Sequence, residues 1–172
     1  TVESATLTVS DGNFTNDGTI SIGTGMKFVF TSGAGDTFTN TGLLELVSSS
    51  QSFAAVLFNG TYSGNVNKVQ YSRYVEGHDD GNGAWDLIGP PLDGMSISTF
   101  MSNNDDLAQN PANNDVGIGP FSNLSGWSTL ATTDVLFDTF SVGTGYQMAT
   151  TSGSNVEFKG TIKTTLVDVE IV

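Results

Sequence analysis

The feature that most constrains this chain is a nine-residue segment that occurs twice. Residues 14–22 (FTNDGTISI) and residues 38–46 (FTNTGLLEL) share a Phe-Thr-Asn start and lie 24 residues apart. A repeat of about 20–30 residues has the length of one turn of a β-solenoid. We expect the phenylalanine to point inward, the Asn-x-Gly step to turn a corner with a residue able to take positive φ, and a short strand to follow.

Two interpretations of this repeat are open. A degraded third copy at residues 58–66 favours a short β-solenoid, because about three stacked copies are needed for an independent stack. The alternative is two similar hairpins of a β-sandwich, which need no third copy.

The rest of the chain also has the pattern of short strands. Apolar and polar residues alternate in residues 6–9, 27–30 and 161–172, and helical signals are nearly absent because Gly, Thr, Ser and Asn interrupt every candidate window. We therefore predict an all-β protein. Its β-solenoid-like repeats occupy residues 1–67 and lead into an antiparallel, jelly-roll-like β-sandwich at residues 68–172, the two being packed as one unit.

Charge and composition exclude several classes of function. Five Lys and Arg against 18 Asp and Glu give a formal net charge of −13, which supplies no basic patch for nucleic acid or an anionic membrane. The lack of cysteine excludes a disulfide framework, thiol catalysis and Cys-ligated metal sites. No apolar stretch approaches the roughly 18–20 residues that cross a bilayer, so we expect no membrane insertion. Both ends are strand-like, and we expect a piece of a longer protein.

Four segments carry a resemblance to a known group of proteins. They are RYV at residues 73–75, WDLIGPP at 85–91, GTGY at 143–146 and VEFKGT at 156–161. Their order over residues 69–162, after the repeats, resembles a β-rich module of large secreted and cell-surface proteins of Bacteroidota. The resemblance implies a type IX-exported adhesin or polysaccharide-associated protein. The sequence departs from that pattern in lacking the second tryptophan-containing segment that commonly follows.

A long acidic stretch indicates a candidate metal site. No Lys or Arg lies between Arg73 and Lys159, and the eleven acidic residues of that interval repel one another unless ions bind or salt screens them. Carboxylate and amide oxygens on glycine-rich turns suit Ca²⁺, although their spacing is not that of an EF-hand loop. Solvated turns are the alternative. The candidate Ca²⁺ ligands are Asp79, Asp80, Asn82, Asp86, Asp105 and Asp106.

Aromatic residues of the second half are candidates for sugar binding. Flat aromatic faces next to acidic and amide side chains suit the CH and OH groups of a sugar. The predicted platform comprises Trp85, Trp127, Tyr74 and Tyr146. The alternative is that these rings fill the core of the sheets.

No catalytic residue is predicted, and we do not expect an enzyme. His78 is the single histidine and reads as a surface loop residue, and no Gly-x-Ser-x-Gly segment supplies a nucleophile. We expect instead a noncatalytic structural or adhesive module of a bacterial cell-surface protein, extracellular and stabilised by Ca²⁺. Two alternatives are a carbohydrate-binding module for cell-surface or environmental polysaccharide, and a self-assembling subunit of a surface filament or layer that pairs with neighbouring copies.

Overall fold

The described part of the chain folds into short strands and one short helix. The computed structural model describes residues 5–31, 33, 35–78, 85–131, 139–141 and 143–165. The strands are β1 (Thr6–Val9), β2 (Phe14–Asn16), β3 (Thr19–Ile22), β4 (Lys27–Thr31), β5 (Thr37–Asn40), β6 (Leu43–Leu46), β7 (Ala55–Asn59), β8 (Thr61–Gly64), β9 (Val69–Val75), β10 (Asp86–Ile88), β11 (Gln109–Asn110), β12 (Asp115–Val116), β13 (Ile118–Ser122), β14 (Gly126–Trp127), β15 (Leu130–Ala131), β16 (Tyr146–Met148) and β17 (Ser154–Gly160); the helix is α1 (Ile97–Asn103). The all-β prediction is confirmed.

The first nine strands follow one path three times. Parallel pairing joins β1 to β4 to β7, β2 to β5 to β8, and β3 to β6 to β9. We call the three passes coil 1 (residues 6–22), coil 2 (27–46) and coil 3 (55–75). Phe14 pairs with Phe38 and Thr19 with Leu43, so the 24-residue sequence repeat is also the register of β2 with β5 and of β3 with β6. Hairpin strands would instead pair antiparallel.

Coil 3 begins its copy of the repeat four residues later than predicted. Tyr62 pairs with Phe38, whereas Phe58 pairs with Phe30 in the neighbouring sheet. The assignment of the third copy to residues 58–66 is therefore wrong in register. Gly64 stands where coil 2 has Asn40, which removes the asparagine that marks the other two copies.

Aromatic rings fill the interior of the coils. Phe28, Phe30 and Phe38 are completely buried. The ring centroid of Phe38 lies 5.4 Å from that of Phe28, and Phe30 stacks on Phe58 at 5.0 Å. This confirms the inward direction predicted for the repeat phenylalanine of coil 2, and such ring pairs add to the energy of burial.

The asparagines of the repeat form a buried ladder between the coils. Asn16 donates from Nδ2 to Oδ1 of Asn40 at 2.7 Å and to the carbonyl of Leu43 at 3.0 Å. Asn40, which is completely buried, donates from Nδ2 to the carbonyl of Lys68 at 3.1 Å and to the hydroxyl of Tyr62 at 3.3 Å. These side chains therefore satisfy backbone groups of the next coil, as buried polar groups must.

Tyr62 ends this ladder in coil 3. Burial raises the pKa of its hydroxyl above the ordinary value, and the hydrogen bond from Asn40 acts in the opposite direction. Its ring lies edge-on to Phe38 at 5.8 Å, so the tyrosine replaces the repeat phenylalanine while adding a polar end to the ladder.

Close packing, rather than positive φ, explains the glycine at the corner of coil 2. Gly18 and Gly42 do not have positive φ, so the predicted left-handed corner is wrong. A Cβ added to Gly42 would collide with the backbone oxygen of Gly18 and lie 2.8 Å from the backbone carbon of Asp17. At Gly18 the same Cβ would meet no atom within 4 Å.

β9 connects the coils to the second half of the chain. It pairs in parallel with β6 and antiparallel with β17, where Val75 faces Ser154 and Val69 faces Gly160. Antiparallel pairing also builds two further sheets, ordered β10-β16-β13-β14 and β11-β12-β15. One hydrophobic cluster includes residues from both halves. The division between residues 67 and 68 stays a prediction.

The helix α1 was not predicted. Ser96 caps it by accepting a hydrogen bond from the backbone N–H of Thr99 at 3.1 Å, and Ile97 and Phe100 are its buried residues. Asn104 then fixes the helix to β17, because its Oδ1 accepts from the N–H of Glu157 at 2.7 Å and its Nδ2 donates to the carbonyl of Phe100 at 2.7 Å. Capping bonds of this kind stabilise short helices that lack strong intrinsic propensity.

Candidate functional site

Five short segments of the second half surround a cleft of about 300 Å³. The volume is at the lower end of the range found for small-molecule sites, about 300–1,000 Å³. We call it the Trp85 cleft. Its lining residues are His78, Trp85, Ala108, Gln109, Asn110, Pro111, Asp115, Val116, Gly117 and Thr129.

Trp85 supplies the aromatic wall of the cleft. It directly precedes β10, and 36% of its surface is exposed. The ring of His78, which follows β9, lies 5.4 Å from the Trp85 ring between centroids, at an interplanar angle of 55°. The rings of Trp85 and His78 therefore lie next to each other in the cleft lining, where an apolar face of a ligand could stack on them.

Asp115 is a fixed polar group of the cleft lining, and we call Asp115, Gln109, Asn110 and Thr129 together the polar wall. Its Oδ2 accepts hydrogen bonds from Oγ1 of Thr129 at 2.7 Å and from Nδ2 of Asn113 at 2.9 Å. The pairing of β12 with β15 places the segment before Leu130 beside Asp115, which brings Thr129 into contact across 14 residues of sequence. A carboxylate held by two donors is preorganised for hydrogen bonding.

Amide groups complete this wall. Gln109 and Asn110 form β11, which pairs with β12, and both residues are exposed. Asn110 Oδ1 also accepts from the N–H of Ala112 at 3.0 Å, and Asn114 has a positive φ of 60° in the turn that follows. Asparagine tolerates that conformation better than most residues. The turn therefore fixes the amides next to Asp115.

Two lining segments of the cleft pack closely at Gly117. A Cβ there would stand 2.6 Å from the carbonyl oxygen of Ala149 and 3.0 Å from Cβ of Ala108. The backbone hydrogen bond from Gly117 to Ala108 at 2.6 Å joins the two lining segments. The close approach of these segments thus depends on glycine at position 117.

The predicted sugar platform is not one surface. Trp85 lines the cleft, whereas Trp127 lies on β14, at the other edge of the β10-β16-β13-β14 sheet, and packs on Phe121 at 5.0 Å. Tyr74 is half-buried on β9, where it faces Asn155. Tyr146 is only 5% exposed, and its hydroxyl accepts from the N–H of Ser141 at 3.2 Å. Tyr146 is therefore a core residue and no platform member, because β16 turns it inward.

The predicted Ca²⁺ ligands that lie among the described residues do not form one cluster. Asp79, Asp80 and Asn82 lie outside the described residues. Asp86 accepts a hydrogen bond from the N–H of Glu76 at 2.8 Å, and Asp106 accepts one from Oγ of Ser152 at 2.9 Å. Asp105 is exposed beside it. No group of three or more His, Asp or Glu side chains with metal-binding geometry occurs among the described residues.

Sequence reasoning found Trp85 but missed the polar wall. Asp115, Thr129 and Gln109 belong to none of the sites predicted from the sequence. The signal that could have found them is the N-P-A-N-N-D turn between two short strands, which predicts a hairpin carrying its polar residues at one end. The pairing with β15, which brings Thr129 to the site, has no comparable signal.

A second cavity, of about 400 Å³, is more apolar and lies beside coil 3. Phe53, Tyr71, Pro91 and Ile162 are among its lining residues. Phe53 is 52% exposed, and the guanidinium of Arg73 lies 4.6 Å from its ring centroid. This cation–π contact covers one face of Phe53. The cavity offers few polar groups for orienting a ligand, in contrast to the Trp85 cleft.

Comparisons with known proteins do not add a family. No known protein family matches the chain, and no curated protein or solved structure is significantly similar to it. Among the described residues, no helix has the length and apolar character required to span a membrane.

Proposed function

We propose that the protein is a noncatalytic, extracellular module of a bacterial cell-surface protein and that it binds a polysaccharide in the Trp85 cleft. The observation that carries this proposal is the composition of the cleft lining, which combines the Trp85 ring with the carboxylate of Asp115, the amides of Gln109 and Asn110 and the hydroxyl of Thr129. Sugars present both CH-rich faces, which stack on aromatic rings, and hydroxyls, which pair with such polar groups.

Charge favours a neutral polysaccharide over an acidic one. The chain carries a net charge of −13, and Asp115 adds a carboxylate to the cleft wall. A polyanion would be repelled by this surface, whereas neutral hydroxyls can donate to the carboxylate at no such cost. A stacking face with a few fixed polar groups is an arrangement for binding, which is why we assign the cleft no reaction.

The proposal extends to the architecture and its setting. The parallel coils support a short β-solenoid for the repeat segment, and the antiparallel sheets beyond β9 support a sandwich-like second half. The resemblance to cell-surface modules of Bacteroidota supports an adhesive, type IX-exported parent protein. We also propose that Ca²⁺ binds the acidic loops, because their uncompensated charge favours a divalent cation.

Tryptophan fluorescence provides the test. Trp127→Phe leaves Trp85 as the single tryptophan of the chain and thus as a reporter in the cleft. This variant is titrated with soluble β-glucan, xylan and mannan, and with alginate as a polyanion. We expect saturable quenching or a blue shift with at least one neutral polysaccharide and none with alginate.

Matched variants locate the site. We expect Trp85→Ala and Thr129→Val to weaken binding at least ten-fold by isothermal titration calorimetry, whereas Trp127→Ala, at the other edge of the sheet, retains it. Equal loss in Trp85→Ala and Trp127→Ala, or no binding to any of the three neutral polysaccharides, would contradict the proposal. Circular dichroism of each variant checks that the fold is unchanged.

A further inference from the structure

Neither the backbone conformation nor the packing around position 18 requires glycine there. The φ of Gly18 is not positive, and a Cβ there would meet no atom within 4 Å. The corresponding Gly42 is required because the backbone of coil 1 lies against it. We propose that the free edge of coil 1 is a docking surface for a further parallel coil, from a polypeptide segment with the aromatic-x-Asn-x-Gly chemistry of this repeat.

No strand in the described part of the chain pairs with the outer edge of coil 1. Among the described residues, β1, β2 and β3 each stand at the end of their sheet. Thr6, Leu7 and Thr8 are exposed, and Leu7 shows 43% of its surface. In coil 2, by contrast, every second residue of β4, β5 and β6 is buried. An unpaired strand edge with apolar side chains is a template for strand addition.

Hydrogen bonding at the corner shows what a docked coil would supply. In coil 2, the N–H of Gly42 donates to the carbonyl of Asn16 at 2.9 Å, and Oδ1 of Asn40 accepts from Nδ2 of Asn16 at 2.7 Å. In coil 1, the N–H of Gly18 donates instead to Oδ1 of its own Asn16 at 3.2 Å. A docked coil with an asparagine in register would offer Gly18 a backbone acceptor and Asn16 a side-chain donor.

The other end of the stack is partly covered. β17 pairs with the outer edge of β9, whereas β7 and β8 stand at the ends of their sheets among the described residues, and Leu92 and Ile162 line the apolar cavity with Ala55 and Val56 of β7. Coil 3 of a second copy therefore cannot present three free strands to coil 1. The occupant is instead a coil whose three strand edges are all open, as those of coil 1 are.

A peptide with the sequence of residues 5–24 carries this chemistry, including the equivalents of Phe14 and Asn16. We expect the labelled peptide to bind the full chain saturably in fluorescence anisotropy and to slow hydrogen exchange in β1, β2 and β3. The Gly18→Ala chain should bind it at least ten-fold more weakly, because the added methyl occupies the space of the docked backbone. A peptide with Phe14→Ser and Asn16→Ala serves as the control and should not bind.

A fused chain removes the cost of ordering a free peptide. In it, a copy of residues 5–28 directly precedes residue 5, which places the added asparagine 24 residues ahead of Asn16. We expect amide exchange in Thr6–Val9 and Thr19–Ile22 to slow at least ten-fold, and Gly18→Ala in the original coil to abolish this protection.

Three results would overturn the inference. The first is a fused chain with unprotected β1 and β3, and the second is equal peptide binding by the wild-type and Gly18→Ala chains. The third is self-association of the unmodified chain that Gly18→Ala abolishes but the peptide does not inhibit. This result would mean that the edge of coil 1 binds a second copy of the chain instead. Polysaccharide binding by Gly18→Ala, measured in parallel, separates this surface from the Trp85 cleft.

Discussion

Alanine at the two equivalent corner glycines should have opposite effects on stability. In Gly42→Ala the new Cβ meets the backbone of Asp17 and Gly18 in coil 1, while in Gly18→Ala it points into open space. The clashing atoms belong to the backbone, so no side chain can rotate to relieve them. The hydrogen bond from Leu43 to the carbonyl of Gly18, at 2.8 Å, holds the two coils at this distance.

The size of each effect follows from these contacts. Overpacking in a fixed site costs about 1–3 kcal/mol, and three backbone atoms within contact distance place Gly42→Ala near the upper end, at about 3 kcal/mol. Gly18→Ala restricts the unfolded chain without strain in the folded one, and should stabilise by about 0.4–1 kcal/mol. At about 2–4 °C per kcal/mol for a chain of this size, Gly42→Ala lowers Tm by about 6–12 °C, and Gly18→Ala raises it by about 1–4 °C.

Thermal and urea unfolding of both variants, followed by circular dichroism, provides the measurement. Urea midpoints should move with unchanged slope, since neither change alters how much surface unfolding exposes. Equal shifts of the two midpoints, or a tolerated Gly42→Ala, would refute the argument that stacking of coil backbones requires this glycine.

Three further predictions concern the ladder and the charge of the chain. Asn40→Ala removes the donor to the carbonyl of Lys68 and the acceptor for Asn16 in a completely buried site. We expect it to lower the free energy of unfolding, measured by urea titration, by about 3 kcal/mol. A loss no larger than that caused by Asn103→Ala, at an exposed position, would contradict this prediction. Because burial raises the pKa of Tyr62, the folded state holds the hydroxyl proton of Tyr62 more tightly than the unfolded state does. The contribution of Tyr62 to the free energy of unfolding is therefore fully present below the ordinary tyrosine pKa and is lost as the pH rises through the pKa of the folded state. Unfolding midpoints should therefore fall above about pH 10, and less steeply in Tyr62→Phe than in wild type; identical slopes would argue against it. Because the chain has a net charge of −13, we expect NaCl to raise Tm by screening the repulsion between carboxylates. At equal ionic strength, CaCl₂ should raise Tm more than MgCl₂ does if Ca²⁺ binds the acidic loops. Equal effects of the two divalent salts would show screening alone and contradict the proposed Ca²⁺ site.

The period of the repeat could be predicted from the sequence because it depends on identical residues at equal spacing. Phe14 and Phe38 face the same interior, and their spacing is the register of β2 with β5 and of β3 with β6. The buried position of Asn16 and Asn40 could not be predicted, since asparagine before glycine is also the signature of a solvated turn. Only the adjacent coil, through the carbonyls of Leu43 and Lys68, makes burial of the amides favourable.

The helix and the third copy were missed for local reasons. α1 has seven residues, of which Ile97 and Phe100 are buried, so its apolar periodicity is too short to detect. In coil 3, Gly64 replaces the marker asparagine, and the pairing of Leu44 with Val69 is one residue longer than the repeat. Asn67 absorbs the extra residue at a φ of 65°.

Some residues of the candidate site could be predicted from the local sequence, whereas others come together only through pairing of strands that are distant in the sequence. Trp85 has a flat aromatic face and acidic and amide residues near it in the sequence, which made it a candidate from sequence alone. Tyr146 has the same chemistry, but the strand β16 alternates buried and half-buried positions, and Tyr146 occupies a buried one. Asp115 and Thr129 meet only because β12 and β15 pair, which depends on the fold of the whole second half.

Thr150 links the position of the cleft to the coils. It is completely buried, and its Oγ1 donates to the carbonyls of Val75 at 3.0 Å and Glu76 at 3.1 Å, where β9 ends. Its carbonyl accepts from the N–H of His78 at 2.6 Å, which places the His78 ring against Trp85. Since β9 is also the last strand of coil 3, the His78 part of the cleft adjoins coil 3, whereas the free edge belongs to coil 1 at the other end of the three sheets. The proposed ligand site and the proposed docking edge are therefore separate surfaces of one hydrogen-bonded framework.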